Sequence, residues 1–250
     1  MKSFFKNSIR LYSYWKFKNN PYLFLIYQMG KVGSSSIYRT LKKNQIYAIH
    51  THSHKEAKSI IKNFKGKIFV ITGMREPLSR NISAFFQNIN NKNNKYWYIG
   101  NKKITNKFEA KSFIKIFNER IEFHLKEVVN PWFRNFYYTC NIKKESLKKK
   151  DNLLTLNKNN LEIIVYKLEK FQEFEKYFFS RFCKIVPFKE FKKENSSSNK
   201  YYSNQYKDFI SAYRINYDRY QNLYGNIDYL IDFYEKEEQI KYCHKFIEEL

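Results

Sequence analysis

The sequence of 250 residues predicts an α/β fold with a central parallel sheet, and three short apolar runs support that prediction. The runs cover residues 22–28, 45–50 and 67–72, and each is too short for a helix of ordinary length. The segments between them have apolar residues at helical spacing. Strands that alternate with helices form βαβ units, so the three runs are expected to lie side by side in one parallel sheet.

The loop after the first strand is suited to an anion. Gly30 and Gly33 interrupt the apolar run, Lys31 lies between them, and three serines then open a predicted helix over 34–43, any of which can cap it. The first turn of a helix has unpaired N–H groups and the positive end of the helix dipole. Glycines let the main chain approach a ligand closely, so the loop predicts phosphate or sulfate binding. The residues predicted to bind the anion are Lys31, Gly33, Ser34, Ser35 and Ser36.

Two other interpretations of this loop are weaker. A Walker A loop has its lysine directly after the second glycine, whereas Lys31 precedes Gly33. A kinase-like phosphotransferase also needs an acid to hold magnesium, and the segment TGMREP after the third strand has no Asp at the strand end. A serine-rich helix start that follows a core strand, with no ligand, is the structural alternative.

Three histidines alternate in the segment IHTHSH at the end of the second strand. Neutral imidazole accepts a proton near neutral pH, so a general base is one interpretation of His50, His52 and His54. Metal binding and ordinary loop histidines stay open, although no cysteine or carboxylate follows at the spacing of zinc ligands. We expect the rings of His50 and His52 on opposite sides of the extended segment, so that only one faces a substrate.

A second candidate anion-binding segment follows the third strand. Pro77 is expected in the first turn of the next helix, after Arg75. The planar donor fork of Arg75 suits a phosphate, and Ser83 adds a hydroxyl. Arg80 has the structural alternative of an ion pair with Glu76. In a parallel sheet the loops after both strands emerge at one edge, which predicts a ligand with two separated anionic groups.

The rest of the chain predicts architecture more than chemistry. Helices are expected over 108–129, closed by Pro131, and neighbouring strands over 153–156 and 161–168. A helical C-terminal part follows, with helices over 200–217 and 229–249. The predicted organisation is a basic aromatic N-terminal arm, 1–20, and one α/β domain, 21–250.

Composition limits the class of protein. Hydrophobic content of 43% argues against general disorder, and the net charge of +24 implies an acidic partner such as an anionic glycan, nucleic acid, a phosphorylated cofactor or a membrane surface. Three isolated cysteines predict a reducing compartment. No segment has the run of about 20 apolar residues that spans a bilayer, which leaves peripheral membrane contact through the arm.

Two segments, QMGKVGSSSIYRTL and REPLSRNISAFFQN, resemble the sulfotransferase superfamily over about residues 22–88. In that superfamily the first loop holds the 5′-phosphosulfate of 3′-phosphoadenosine 5′-phosphosulfate (PAPS), and the second holds its 3′-phosphate. Together with IHTHSH they are similar, more narrowly, to bacterial capsular polysaccharide synthesis proteins. The histidine segment also resembles the H-x-H of uronosyl 2-O-sulfotransferases, whose second histidine is the expected base; the match here is His52.

The resemblance implies a P-loop-like three-layer domain that transfers a sulfuryl group from PAPS to a hydroxyl of a bacterial capsular or surface polysaccharide, without a metal. It implies a cytoplasmic enzyme, at the inner face of the membrane if the arm binds there, with a glycan and a nucleotide as partners and no specific nucleic acid. The alternatives are a non-catalytic binder of anionic glycan or nucleic acid, and a kinase-like phosphotransferase. The implied catalytic residues are His52, Lys31 and His50, and the implied donor site is Lys31, Gly33, Ser34, Ser35, Ser36, Arg75 and Ser83.

Overall fold

The computed structural model describes residues 20–99, 109–192, 200–227 and 233–248. The chain divides into two compact units, Met1–Met74 with Tyr137–Lys192 and Arg75–Phe136 with Lys193–Leu250. Residues 1–19 of the predicted arm lie outside the described part, and the expectation of one domain over 21–250 stays a prediction.

The first unit contains a six-stranded sheet in the order β2-β1-β3-β6-β5-β4. The first four strands in that order run parallel, and β5 and β4 are added antiparallel. The predicted α/β fold with a mostly parallel sheet flanked by helices is therefore confirmed. The strands are β1 (Tyr22–Tyr27), β2 (Ala48–Thr51), β3 (Lys67–Met74), β4 (Lys148–Lys150), β5 (Leu153–Lys158) and β6 (Leu161–Lys167).

The second strand begins later than predicted. Gln45 has a φ of 59° and belongs to the turn after the first helix, so pairing with β1 starts only at Ala48. His50 lies within β2, opposite Ile26 of β1, and His52 lies just beyond the strand end.

The described helices are α1 (Ser34–Lys43), α2 (His54–Asn63), α3 (Pro77–Asn88), α4 (Ala110–His124), α5 (Asn130–Cys140), α6 (Phe171–Phe182), α7 (Ser203–Ala212), α8 (Tyr217–Tyr224) and α9 (Lys236–Cys243). None of the helices in the described ranges is long and apolar enough to cross a membrane. The prediction that Pro131 closes the helical segment before it was wrong. A π-helical turn, Leu125–Val129, leads directly into α5, and Pro131, which has no main-chain N–H to donate, lies in the first turn of α5.

The helix predicted over 200–217 is shorter in the structure: α7 ends at Ala212, and a separate helix, α8, begins at Tyr217. The chain is extended at Tyr213, where α7 ends, and Asn216 then caps α8 by accepting a hydrogen bond from the main-chain N–H of Arg219. Asn residues favour such cap positions because the side-chain oxygen satisfies an N–H of the first turn. The break therefore has a local cause in the sequence that helical periodicity alone did not reveal.

One face of the sheet carries the main core of the first unit. Phe24 and Ile26 of β1 pack there with Ile37 and Leu41 of α1 and with an aromatic row of α6. The ring of Phe24 lies 5.2 Å from that of Phe182, centroid to centroid, in an edge-to-face arrangement. This packing fixes α1 against β1 and so determines where the loop between them begins and ends.

The second unit has an aromatic core of its own. Trp97 stacks on Phe117 with ring centroids 5.6 Å apart, and Phe85 contacts both rings. His124 is buried beside Trp97, and burial, together with the positive charge of Arg80, lowers its pKa to about 2. His124 is therefore neutral and belongs to the core of this unit.

Candidate active site

The loop between β1 and α1, residues 28–33, has an unusual main-chain path. Gly30, Lys31 and Gly33 have φ values of 92°, 67° and 83°, all in the left-handed region. A Cβ at Gly33 would lie 2.8 Å from Cδ1 of Leu168, so a larger residue would collide there. Gly33 itself is the N-cap of α1, and the expectation that a serine caps this helix was wrong.

The serines instead form the first turn of α1, where no side chain caps the helix and no acidic residue is present. Ser34 and Ser36 are buried, whereas Ser35 and Lys31 are partly exposed. A helix end of this kind presents main-chain N–H groups and hydroxyls to an anion, with the favourable end of the dipole behind them. The geometry of this loop therefore suits the anion that the sequence predicted.

Tyr166, near the end of β6, holds the loop through a hydrogen bond. Its hydroxyl donates a hydrogen bond of 2.5 Å to the carbonyl oxygen of Val32. The side chain is fully buried, and burial raises the pKa of its phenol far above the ordinary value, so the group remains a donor. The sequence placed Tyr166 only in a strand, and a buried tyrosine among apolar neighbours gives no signal of this contact.

His50 connects β2 to the first turn of α1. Its Nε2 atom lies 3.2 Å from Oγ of Ser34 and 3.2 Å from Nε2 of Gln28. The ring is partly exposed and lies 5.5 Å from the ring of Tyr38, centroid to centroid. The Nε2 atom of His50 is therefore within hydrogen-bond distance of Ser34, one of the three predicted anion-binding serines.

His52 is exposed, just after β2, and its Nδ1 atom lies 2.6 Å from the main-chain oxygen of Gln28. A carbonyl oxygen only accepts, so Nδ1 carries the proton and the lone pair is on Nε2. The ring also borders the loop, because a Cβ at Gly30 would lie 3.7 Å from its Cε1 atom. These contacts place a proton acceptor beside the candidate anion site.

The expectation that His50 and His52 lie on opposite sides was wrong. Their rings are in edge-to-face contact with centroids 4.8 Å apart. Side chains alternate along an extended chain with a period of two, so residues two apart share a side. Both rings therefore belong to one cluster, and the spacing in the sequence does not by itself separate the base from its neighbour.

His54 has a structural contact of a different kind. It begins α2, and its Nδ1 atom is hydrogen-bonded to the hydroxyl of Tyr27. The same hydroxyl donates to Oγ1 of Thr139 at 3.3 Å. Burial lowers the pKa of His54 below its usual value. Within the described ranges, no group of three or more His, Cys, Asp or Glu side chains is close enough together to hold a metal ion.

Arg75 and Ser83 belong to the second unit. Arg75 follows the last residue of β3 and is partly exposed, and Ser83 is partly exposed in the middle of α3. Pro77 occupies the first turn of α3, as predicted. Glu76 is fully buried, and its carboxylate accepts hydrogen bonds from the main-chain N–H groups of Leu78 and Ser79, at 2.8 and 2.7 Å. The first turn of α3 thus already holds a carboxylate.

Arg80 is buried within the second unit, with only 3% of its surface exposed. Its Nη1 atom donates to Oδ1 of Asn81 at 2.9 Å, and its charge acts on His124. This arginine is therefore part of the interior of the unit, in agreement with a structural role.

Comparison of the chain with protein-family models, with curated proteins and with solved structures found no match. The function is therefore inferred from the chemistry of the residues themselves. The structure brings Lys31, the three serines, His50 and His52 together around one loop, and it adds Gln28, which the sequence had marked only as the last residue of a strand.

Proposed function

We propose that the protein is a P-loop-like sulfotransferase that moves a sulfuryl group from PAPS to a hydroxyl of a bacterial capsular or surface polysaccharide. The observation that carries this proposal is the position of His52. Its Nδ1 proton is committed to the carbonyl of Gln28, which leaves Nε2 as the proton acceptor, and its ring borders the glycine loop that begins α1. A base beside an anion-binding helix end is the arrangement that transfer to a hydroxyl requires.

The residues at the loop fit the phosphosulfate end of the donor. The helix end has no side-chain cap, and the left-handed glycines allow close main-chain approach. In the proposed mechanism, Ser34, Ser35 and Ser36 bind the 5′-phosphosulfate, and Lys31 stabilises negative charge on the bridging oxygen. PAPS supplies the activated sulfuryl group, whose bond to that bridging oxygen breaks as the bond to the acceptor oxygen forms.

His52 has the task of the general base in this mechanism. Its Nε2 atom takes the proton of the acceptor hydroxyl as that oxygen attacks, and the ring is held in the required tautomer by Gln28. Proton transfer by a positioned side chain typically contributes about 10²–10⁴-fold to the rate. Arg75 and Ser83 are assigned to the 3′-phosphate of the donor, because a guanidinium and a hydroxyl suit that group.

A kinase-like phosphotransferase is less well supported. Such an enzyme needs a carboxylate that holds magnesium with the nucleotide phosphates. The carboxylate that follows β3 is Glu76, and its oxygens accept hydrogen bonds from two main-chain N–H groups and from the hydroxyl of Tyr220, at 3.4 Å. Glu76 is therefore committed to capping α3.

Two measurements test the proposal. In calorimetry, adenosine 3′,5′-bisphosphate, the product of sulfuryl transfer, is expected to bind more tightly than ATP. In a transfer assay with PAPS that carries radioactive sulfur, the radioactivity is expected to appear in an acidic or neutral bacterial polysaccharide. Equal or tighter binding of ATP, together with no labelled glycan, would contradict the proposal. Glycan binding without transfer would favour the non-catalytic binder instead.

A further inference from the structure

Gln28 contacts both histidines of the candidate site. Its main-chain oxygen lies 2.6 Å from Nδ1 of His52, and its side-chain nitrogen lies 3.2 Å from Nε2 of His50. The side chain is fully buried, and its Oε1 atom has no hydrogen-bond partner within the part of the chain that the structure describes. A buried acceptor without a partner is unfavourable, so the amide is better explained by its contact with His50 than by stability.

The contact with His50 has a chemical consequence for Ser34. An amide nitrogen only donates, so Gln28 donates to the lone pair of Nε2 on His50. The hydroxyl of Ser34 lies at the same distance, 3.2 Å, from that nitrogen atom. A neutral ring nitrogen has one lone pair. Because this lone pair already accepts a hydrogen bond from Gln28, it does not accept the hydroxyl hydrogen of Ser34. The hydroxyl of Ser34 can then donate to an anion at the first turn of α1.

We propose that Gln28 is a positioning residue that aligns both histidines with the anion-binding turn of α1. Its carbonyl oxygen orients His52, and its amide occupies the lone pair of His50 and thereby leaves the hydroxyl of Ser34 free to donate to the bound donor. This inference rests on the proposed sulfotransferase function for its catalytic consequence, but the contacts of Gln28 with the two rings do not depend on it.

The catalytic arm of the test uses Gln28→Met, which keeps the chain length and the main-chain carbonyl and removes the amide. Without the amide, the lone pair of His50 competes for the hydroxyl hydrogen of Ser34, and loss of the Ser34 hydrogen bond to the charged donor is expected to lower kcat/KM for PAPS by about 10- to 100-fold. In a Ser34→Ala background the same substitution is expected to have no further effect, because the two residues act through one contact. Equal losses in both backgrounds would overturn the proposal.

Thr72→Val is the matched control. Thr72 is also fully buried, and its Oγ1 atom likewise lacks a hydrogen-bond partner among the described residues. Its neighbour Ile71 belongs to the core cluster on the α1 face of the sheet, so Thr72 points to the other face. Thr72→Val is expected to leave sulfuryl transfer unchanged. A loss equal to that of Gln28→Met would show that any change in a buried polar group has this effect, and the proposal would fail.

A second arm does not require sulfuryl transfer. Long-range ¹H–¹⁵N spectra report which nitrogen of each histidine ring is protonated, and the wild type is expected to carry the proton on Nδ1 of His52. Gln28→Met should move the signals of His50 and leave those of His52, whose partner is the main chain. Gln28→Glu keeps the side-chain length and is expected to raise the pKa of His50, because a carboxylate stabilises the imidazolium.

These spectra separate the two proposals. If His50 signals are the same in the wild type, Gln28→Met and Gln28→Glu, the role of Gln28 is overturned, whatever the activity. If the wild type transfers no sulfuryl group, the proposed function fails, and a shift confined to His50 still supports the positioning role. Thermal unfolding of each variant establishes that the fold is retained before either result is interpreted.

Discussion

Two of the helices that follow parallel strands, α1 and α3, differ in what their first turns hold. At α1 the N-cap is Gly33, and no side chain caps the turn. At α3 the N-cap is Glu76, whose buried carboxylate accepts from two main-chain N–H groups. The sequence predicted an anion-binding segment at each of these places. Of these two turns, only that of α1 is without an anionic group of its own.

The difference depends on one residue before each helix. A carboxylate at the N-cap satisfies the unpaired N–H groups and matches the helix dipole, so it does from within the chain what a bound anion does from outside. A left-handed glycine in the same place leaves those groups for a ligand. A strand, loop and helix pattern with nearby basic residues therefore does not suffice to predict an anion site, because the cap residue decides whether the turn is available.

The largest effect is expected at His52, the proposed base beside the first turn of α1, which we call the open turn because no side chain caps it. His52→Ala should lower sulfuryl transfer by about 10²–10⁴-fold, the usual contribution of a general base. Affinity for adenosine 3′,5′-bisphosphate, measured by calorimetry, should stay within a few-fold, since the base acts on the acceptor. We expect His50→Ala to be the milder of the two substitutions.

His244→Ala is the control for His52→Ala, because His244 is also exposed and lies in the C-terminal 3₁₀ turn of the second unit. It should leave transfer unchanged. An active His52→Ala enzyme would refute the assignment of the base. An inactive His50→Ala enzyme beside an active His52→Ala enzyme would transfer the role to the ring that contacts Ser34.

The next largest effect concerns the lysine of the open turn. Lys31→Ala should lower kcat by about 10²–10³-fold, as loss of one group that stabilises developing charge does. Affinity for the bisphosphate should fall much less, because that product lacks the transferring group. Lys31→Arg keeps the charge and should retain more activity than Lys31→Ala. Full activity of Lys31→Ala would contradict the assigned role and reduce the open turn to a passive binding site.

At the first turn of α3, which the carboxylate of Glu76 fills, the expected effect is on the preference between two nucleotides. Arg75→Ala should weaken binding of adenosine 3′,5′-bisphosphate by about 10- to 100-fold, the value of a charge-assisted hydrogen bond, and leave binding of adenosine 5′-phosphate unchanged. Ser83→Ala should have a smaller effect in the same direction. If the wild type bound both nucleotides equally, Arg75 would have no role at a 3′-phosphate, and the comparison would leave α1 as the single candidate site.

Much of the fold could be predicted because it depends on local patterns. The runs over 22–28 and 67–72 became β1 and β3 with small changes in their ends, since short apolar runs between helical segments favour parallel strands. The start of β2 was misplaced because the left-handed residue of the turn is Gln45, a residue type that does not mark such a position, whereas the neighbouring Asn44 has a φ of −93°.

The candidate site was predictable in its residue types but not in its contacts. Lys31, the serines and His52 were marked by motif and chemistry. The cap at Gly33, the contact of His50 with Ser34, and Gln28 between the two rings depend on where three separate segments meet. Glu76 illustrates the same limit. The sequence marked it only as an ion-pair partner for Arg80, and the hydrogen bonds of its buried carboxylate to the first turn of α3 appear only in the structure.

The smallest expected effect tests whether Glu76 really fills the turn of α3. Glu76→Gln removes the negative charge and places an amide where two N–H groups need an acceptor, so it should destabilise the protein by about 1–2 kcal/mol, the usual range for loss of a cap. The midpoint of urea unfolding measures this. Ser53→Ala is the comparison, because Ser53 caps α2 from an exposed position through a single hydrogen bond, at 3.3 Å to the N–H of Glu56. That substitution should destabilise the protein less than Glu76→Gln does.

An unchanged midpoint for Glu76→Gln would mean that its carboxylate does not stabilise the turn. The first turn of α3 would then be as available to an anion as that of α1, and the difference between the two helices would no longer explain why the phosphosulfate is assigned to α1.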